Sequence, residues 1–306
     1  DNASPETAYL PIVAHMRSQL TVPIKREDRV IGVAALEAAE AGSFTDENVA
    51  FVERLADHAA IAIDNARLFK QLQEANEAKT NFISFVSHEL KQPMTSIKGY
   101  ADLLTKGIGG ELSPQQQQFI HVIRNNTERM NRIVQDLLDI SRIESGRLKL
   151  ELGPVVPEEV VSEVVQAYEQ EIASKGQTLD VVLEESLPTV TGDRGRLIQV
   201  LTNLVSNANK YTPEGGTITL RAGVETRDGR TFVRWSVQDT GIGMSEEERS
   251  RLFTKYFRSQ RDAVRSVPGT GLGLVITQSI VEMHGGEVSV ESTLHEGSTF
   301  SFTVPV

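Results

Sequence analysis

From residue 83 the apolar positions fall at Ile83, Val86, Leu90, Met94, Ile97, Ala101 and Leu104. The steps alternate three and four, which predicts a helix with one apolar seam. "GIGGELSP" at 107–114 breaks the pattern, and a second seam follows at Ile120, Ile123, Met130, Val134 and Leu137, interrupted by Thr127. Two helices of similar length joined by a short loop predict an antiparallel hairpin. One hairpin carries too narrow a stripe to bury by itself, so a dimeric four-helix bundle is expected. Upstream, "SQLTVPI" (18–24) and "RVIGVAALEA" (29–38) alternate like strands around the charged turn "KRED". A helical pattern then starts at Thr45 or Asp46 and meets no stop before Pro93, so a continuous connector helix is predicted.

Glycine and proline in "SGRLKLELGPVVP" (145–157) mark a boundary. Beyond it, helical segments at 157–175, 194–211 and 272–284 alternate with strand-like "TLDVVLE", "GTITLRAGVE", "TFVRWSVQD", "GEVSVEST" and "STFSFTVPV". That alternation predicts helices over one sheet, and the chain as a whole reads as multidomain α+β.

The totals narrow the function. A length of 306 residues suits two or three domains. The net charge of −11 argues against non-specific nucleic-acid binding, which needs a basic surface. The chain has no cysteine, which excludes disulfides and thiolate zinc sites and fits a reducing, cytoplasmic setting. No apolar run spans a bilayer, although a longer parent protein could carry spans upstream. The start at Asp1 suggests a piece of something longer.

Three stretches carry candidate chemistry. In "FVSHELKQPM" (85–94), His88 lies about 200° round the helix from Val86, away from the seam. An exposed imidazole beside a carboxylate, Glu89, can act as a nucleophile, and an ordinary surface histidine fits the same placement. Pro93 removes a backbone hydrogen bond and suggests a bend close to it. In "RGRLIQVLTNLVSNANKYTPEGG", an apolar face runs along Leu197, Leu201, Leu204, Ala208 and Tyr211, with Asn203, Asn207 and Lys210 beside it. Asparagine oxygen suits magnesium and lysine suits phosphate; a solvated face would look the same. "VQDTGIGMSEEE" ends a strand at Asp239, followed by Gly241 and Gly243, and "VPGTGLGL" sets Gly269, Gly271 and Gly273 at a helix start, where bare N–H groups favour phosphate. The polar segment between the glycine clusters reads as a flap over a nucleotide.

Taken together these stretches resemble a sensor histidine kinase of two-component signalling. "SHELKQP" resembles the phospho-acceptor box, "NLVSNANKYT" the N box, "DTGIGM" and "GTGLGL" the glycine boxes, and "LFTKYFR" (252–258) the F box. Residues 20–68 are similar to the second half of a GAF sensor domain. The resemblance divides the chain into a partial GAF-like piece (1–66), a connector (67–80), a dimerisation and phosphotransfer hairpin (81–148) and an ATP-binding α/β sandwich of the GHKL (Bergerat) type (149–306). It implies that His88 attacks the γ-phosphate of ATP with Glu89 as general base, and that Asn207 ligates Mg2+ with Asn203 nearby. Lys210 and Arg258 would contact phosphates, Tyr211 would stack on the base and Asp239 would bind the adenine amino group. Gly241 and Gly243 would shape the pocket, while Gly269, Thr270, Gly271, Leu272 and Gly273 would cradle phosphate and hinge the lid. The implied partners are a second copy of the chain and the receiver aspartate of a response regulator. Gln92 stands where the family usually has threonine or asparagine, which implies weak phosphatase activity. Other ATPases of the same nucleotide-binding fold, such as gyrase, and a non-catalytic scaffold are the alternatives; neither requires His88-Glu89 on a hairpin.

Overall fold

The computed structural model describes residues 15–265, 267 and 269–306. Residues 1–14 of the N-terminal piece, and Pro268 of "VPGTGLGL", lie outside the described residues. The chain forms two compact units, 1–79 and 80–306.

In the first unit, β1 (Ser18–Arg26) and β2 (Arg29–Ala38) pair antiparallel. Val22 from β1 packs with Val52 and Ala56 at the start of α1 (Asp46–Thr105). Thr45 caps that helix: its hydroxyl accepts from the Asn48 N–H (3.3 Å), and the Asn48 side chain accepts from the Thr45 N–H (3.0 Å). The expected continuous helix is observed. It has 60 residues and runs unbroken through Pro93.

The second unit begins with the hairpin of α1 and α2 (Pro114–Glu144). A capping box at Ser113 and Gln116 starts α2 directly after the glycine-rich loop. The helices run antiparallel, as Lys98–Glu128 (3.1 Å), Asp102–Arg124 (3.8 Å) and Asn81–Arg147 (3.2 Å) require. The seam matches the prediction at Met94, Ala101 and Val134 and differs from it elsewhere. On the part of α1 from residue 80 onward the buried positions are Thr80, Ser87, Met94 and Ala101, and on α2 they include Thr127, Val134 and Ser141, every seventh residue in each case. Thr127 does not interrupt the inner face; it belongs to it, and its hydroxyl donates to the Ile123 carbonyl (2.9 Å). Leu90, Ile97, Ile123 and Met130, placed in the seam by their spacing, are all more than 40% exposed. A heptad pattern contains two adjacent stripes, and spacing alone does not say which of them the hairpin closes.

Behind the hairpin come β3 (Gly153–Val155), α3 (Pro157–Ser174), β4 (Thr178–Leu183), β5 (Val190–Gly192) and α4 (Arg194–Tyr211). Next follow β6 (Thr217–Arg227), β7 (Arg230–Asp239), α5 (Glu246–Arg251), α6 (Asp262–Arg265), α7 (Gly273–Met283), β8 (Val288–Thr293) and β9 (Gly297–Pro305). The five predicted strands form one sheet in the order β4-β6-β7-β9-β8, in which only β4–β6 is parallel. The short pair β3–β5 was not predicted; three residues are too few to show a period. Inward residues line up across the sheet: Leu220, Val237 and Phe300 in one row, Ala222, Trp235 and Phe302 in the next. The Trp235 and Phe302 rings stack with centroids 4.9 Å apart. Buried faces of α3 (Val160, Val161, Val164), α4 (Leu197, Leu201, Leu204) and α7 (Ile276, Ile280) close this core.

Candidate nucleotide site

The strand period itself delivers the key carboxylate. On β7 the inward positions are Val233, Trp235, Val237 and then Asp239, so the row that fills the core ends in an aspartate at the rim. Asp239 is 7% exposed, and its Oδ1 accepts from the Gly241 N–H at 2.8 Å. Burial pushes its carboxyl above the usual carboxylate range, against the pull of backbone N–H donors at Gly241 and Ser298.

Helix α4 supplies the facing wall. The Asp193 side chain caps it through the Arg196 N–H (3.1 Å), and its apolar stripe seats it on the core. That seating turns Asn203, Asn207, Lys210 and Tyr211 to a cavity of about 910 Å³, which Asp239, Gly243, Arg258, Gly269, Thr270, Gly271 and Gly273 also line. The volume suits a nucleotide-sized ligand. Asn203 Nδ2 donates to Thr277 Oγ1 (2.9 Å). Burial, with the Arg132 guanidinium nearby, lowers the Lys210 ammonium below its ordinary value, and burial raises the Tyr211 phenol.

Backbone approach explains two of the glycines. A Cβ on Gly243 (φ +55°) would lie 1.8 Å from the Thr293 carbonyl oxygen. On Gly273 it would lie 2.5 Å from Asn203 Oδ1, so the helix start and the polar stripe of α4 meet only through glycine. Between the glycine clusters the expected flap forms α5 and α6. Arg261 ties it down, donating to Glu248 Oε1 (2.8 Å) and to the Gly243 carbonyl (2.7 Å).

Not every predicted residue faces the cavity. Leu272 is 3% exposed within the core, and Gly241 serves to hold Asp239. Arg258 lines the cavity while one Nη2 donates to the Val264 carbonyl (2.9 Å) and to that of Val267. His88, Glu89 and Gln92 stand outside the cavity wall, exposed on α1. The His88 side chain is 70% exposed, with Nδ1 3.6 Å from Glu89 Oε1. Among the described residues no cluster of three or more acidic, histidine or cysteine side chains forms a metal cage.

Sequence reasoning missed the hairpin's share of this site. Helix α2 lines the cavity with Arg129, Arg132 and Asp136, among others. Asp139, fully buried, accepts from Arg196 Nη1 (3.1 Å), Gln199 Nε2 (2.8 Å) and Gln135 Nε2 (3.3 Å). Lys255 of the flap donates to Glu144 (2.6 Å). The available signal was the acid pair bracketing two leucines in "DLLD" at 136–139, where a surface helix would need no apolar neighbours.

Family comparisons agree with the geometry. Residues 192–306 match the family of histidine kinase-, DNA gyrase B- and HSP90-like ATPases, and residues 78–146 match the His Kinase A (phospho-acceptor) domain. Both in one chain, with His88 inside the second match, separate it from the gyrase-like ATPases.

The chain belongs to the sensor histidine kinases.

Residues 2–64 match a GAF domain. The circadian input-output histidine kinase CikA of Synechococcus elongatus is 32% identical over 95% of this chain and 42% of its own length. BarA of Escherichia coli, a signal transduction histidine-protein kinase, is 36% identical over 77% of this chain and 25% of its own. The full-length ShkA structure in complex with AMPPNP superposes with a TM-score of 0.59 at 30% identity, covering 74% of this chain and 45% of ShkA. The chain thus spans less than half the length of these relatives. No helix among the described residues is long and apolar enough to cross a membrane.

Proposed function

We propose that this sensor kinase autophosphorylates on His88 with ATP and passes the phosphoryl group to a receiver aspartate of a response regulator. The observation that carries the reading is an exposed His88-Glu89 pair on the hairpin and, in the same unit, a cavity whose walls join Asp239, Asn207, Lys210 and the glycine loop. Asp239 would take the adenine amino group, Tyr211 would stack on the base, and Lys210, Arg258 and the N–H groups of 269–273 would hold the phosphates. Magnesium fits these donors: one amide oxygen from Asn207 would leave the other positions to phosphates and water. The ion would neutralise developing phosphate charge. Glu89 faces Nδ1 of the imidazole, which leaves Nε2 to attack the γ-phosphorus as the bond to the β-phosphate oxygen breaks and ADP departs.

Because His88 stands outside the cavity, transfer requires the catalytic layer to move along its own hairpin or the cavity of a second copy to reach it. The hairpin's exposed apolar stripe supports a homodimer. We assign residues 1–66 to a GAF-like piece, 67–80 to a connector, 81–148 to the hairpin and 149–306 to the catalytic domain, within a cytoplasmic part of the protein. In the test, γ-labelled ATP gives an acid-labile, alkali-stable label on the wild type and none on His88→Ala. ATP turnover without label would favour a gyrase-like ATPase, and no turnover a scaffold.

Gln92 lies one turn beyond His88 and reaches a methylene further than asparagine, too far to aim a water at a phosphoaspartate. Phosphatase activity is therefore weak, and Gln92→Thr should raise loss of phosphate from a phosphorylated receiver by about tenfold. Fast loss in the wild type that depends on Gln92 contradicts this.

A further inference from the structure

The cavity has a wall that the nucleotide-binding motifs do not provide. On α2, Asp136 faces the phosphate-binding end, and its Oδ2 accepts a hydrogen bond from Thr270 Oγ1 at 2.9 Å. Thr270 sits between Gly269 and Gly271, in the loop assigned to phosphate. Its hydroxyl oxygen already accepts from the Leu272 N–H (3.2 Å), so its proton is directed to Asp136. Lys210 and Arg132 also act on this carboxylate, attracting its ionised form. Burial outweighs them and raises the carboxyl, as it lowers the Lys210 ammonium opposite. One group that would serve the triphosphate, the Thr270 hydroxyl, is thus turned to an anion of the hairpin, and a second, the Lys210 ammonium, lines the same cavity.

We propose that Asp136 is an internal competitor for the phosphates of ATP, holding the glycine loop against the hairpin until nucleotide displaces it. A triphosphate brought to the Gly269–Gly273 loop meets the Asp136 carboxylate as a like charge at close range in a partly desolvated cavity, where the repulsion is poorly screened. Occupancy therefore requires Thr270 to leave Asp136, and with it the glycine loop to part from α2. Nucleotide binding and release of the catalytic layer become one linked equilibrium, so anything that tightens the hairpin contact weakens ATP, and ATP loosens the contact by the same factor. This gives the kinase a resting state in which the acceptor His88 and the cavity are kept apart. The inference rests on the ATP reading above.

The test uses the full 306-residue chain and calorimetric titration with AMPPNP, ADP and adenosine in the presence of magnesium. Asp136→Asn keeps the size of the side chain and an acceptor for Thr270 while removing the charge. It should bind AMPPNP about three- to tenfold tighter, ADP less so and adenosine unchanged, because the repulsion acts on phosphate. AMPPNP affinity that is unchanged or weakened overturns the proposal, as does equal tightening for adenosine. A second measurement needs no variant. AMPPNP added to the wild type should speed amide hydrogen exchange in α2 around 129–136, and slower exchange there overturns the proposal. If the wild type binds none of the three ligands, the ATP reading itself fails, which separates the two outcomes.

Discussion

In the catalytic layer Trp235, Phe302, Leu197 and Leu220 are fully buried, in register across strands or against helices. In the hairpin the inner positions are held by Thr80, Ser87, Thr127 and Ser141 as much as by Met94 and Val134, while Leu90, Ile97, Ile123 and Met130 face outward. The catalytic layer closes its core within one chain. The hairpin places small and polar residues where its two helices meet and leaves its large apolar side chains for another surface. The difference fits the proposed division of labour, in which a layer with its own closed core shapes the nucleotide cavity and a hairpin that carries the proposed acceptor His88 is completed by a second copy.

The most damaging test of that contrast is a cavity in the closed core. Phe302→Ala should cost about 3–5 kcal/mol. The loss appears as a lower urea midpoint with an unchanged slope, followed by the fluorescence of Trp235, the chain's single tryptophan. On the hairpin, a comparable insult should leave the fold standing. Ile97→Asp should weaken self-association about a hundredfold by sedimentation, with the Trp235 unfolding midpoint unmoved. A drop in that midpoint would mean the stripe supports the chain's own core and would collapse the comparison.

A smaller effect probes the contact within the hairpin. The Lys98 ammonium, hydrogen-bonded to Glu128, holds the Glu128 carboxyl below the usual carboxylate range, with burial opposing and Arg124 assisting. A carboxyl depressed in the folded state stabilises above its unfolded value and loses that stabilisation as pH falls through the folded one. Glu128→Gln should therefore cost at most about 0.5 kcal/mol at neutral pH, screened as the pair is by solvent, and nothing once the pH has fallen below the depressed folded value, where both states are protonated. Thermal melts at two pH values check this.

Much of this was legible in the sequence for a physical reason. Asp239 follows three inward residues at period two, and Asn203, Asn207 and Lys210 follow a helical period beside an apolar face, so local geometry placed them. The five strands of the sheet were long enough to show their period, and β3 and β5 were not. What stayed hidden depends on contacts distant in sequence. Asp136 meets Thr270, 134 residues on, and Asp139 meets Arg196, 57 residues on. No periodicity in α2 names those partners. The inner stripe is legible only at Met94, Ala101 and Val134, because Thr80, Ser87, Thr127 and Ser141 read as polar, although a hairpin that packs closely accepts small side chains whose hydroxyls can bond to their own helix, as Thr127 does.

The central claim is that one exposed side chain of the hairpin receives the phosphoryl group from nucleotide held by the catalytic layer. The most direct test is to incubate the wild type with ATP and magnesium and map the phosphoryl group by peptide mass spectrometry at alkaline pH. The account predicts a single modified site at His88, absent from His88→Ala and from Asp239→Ala, with both variants keeping the wild-type unfolding free energy to within about 1 kcal/mol. A phosphoryl group on another residue, or label that persists in His88→Ala, would contradict it.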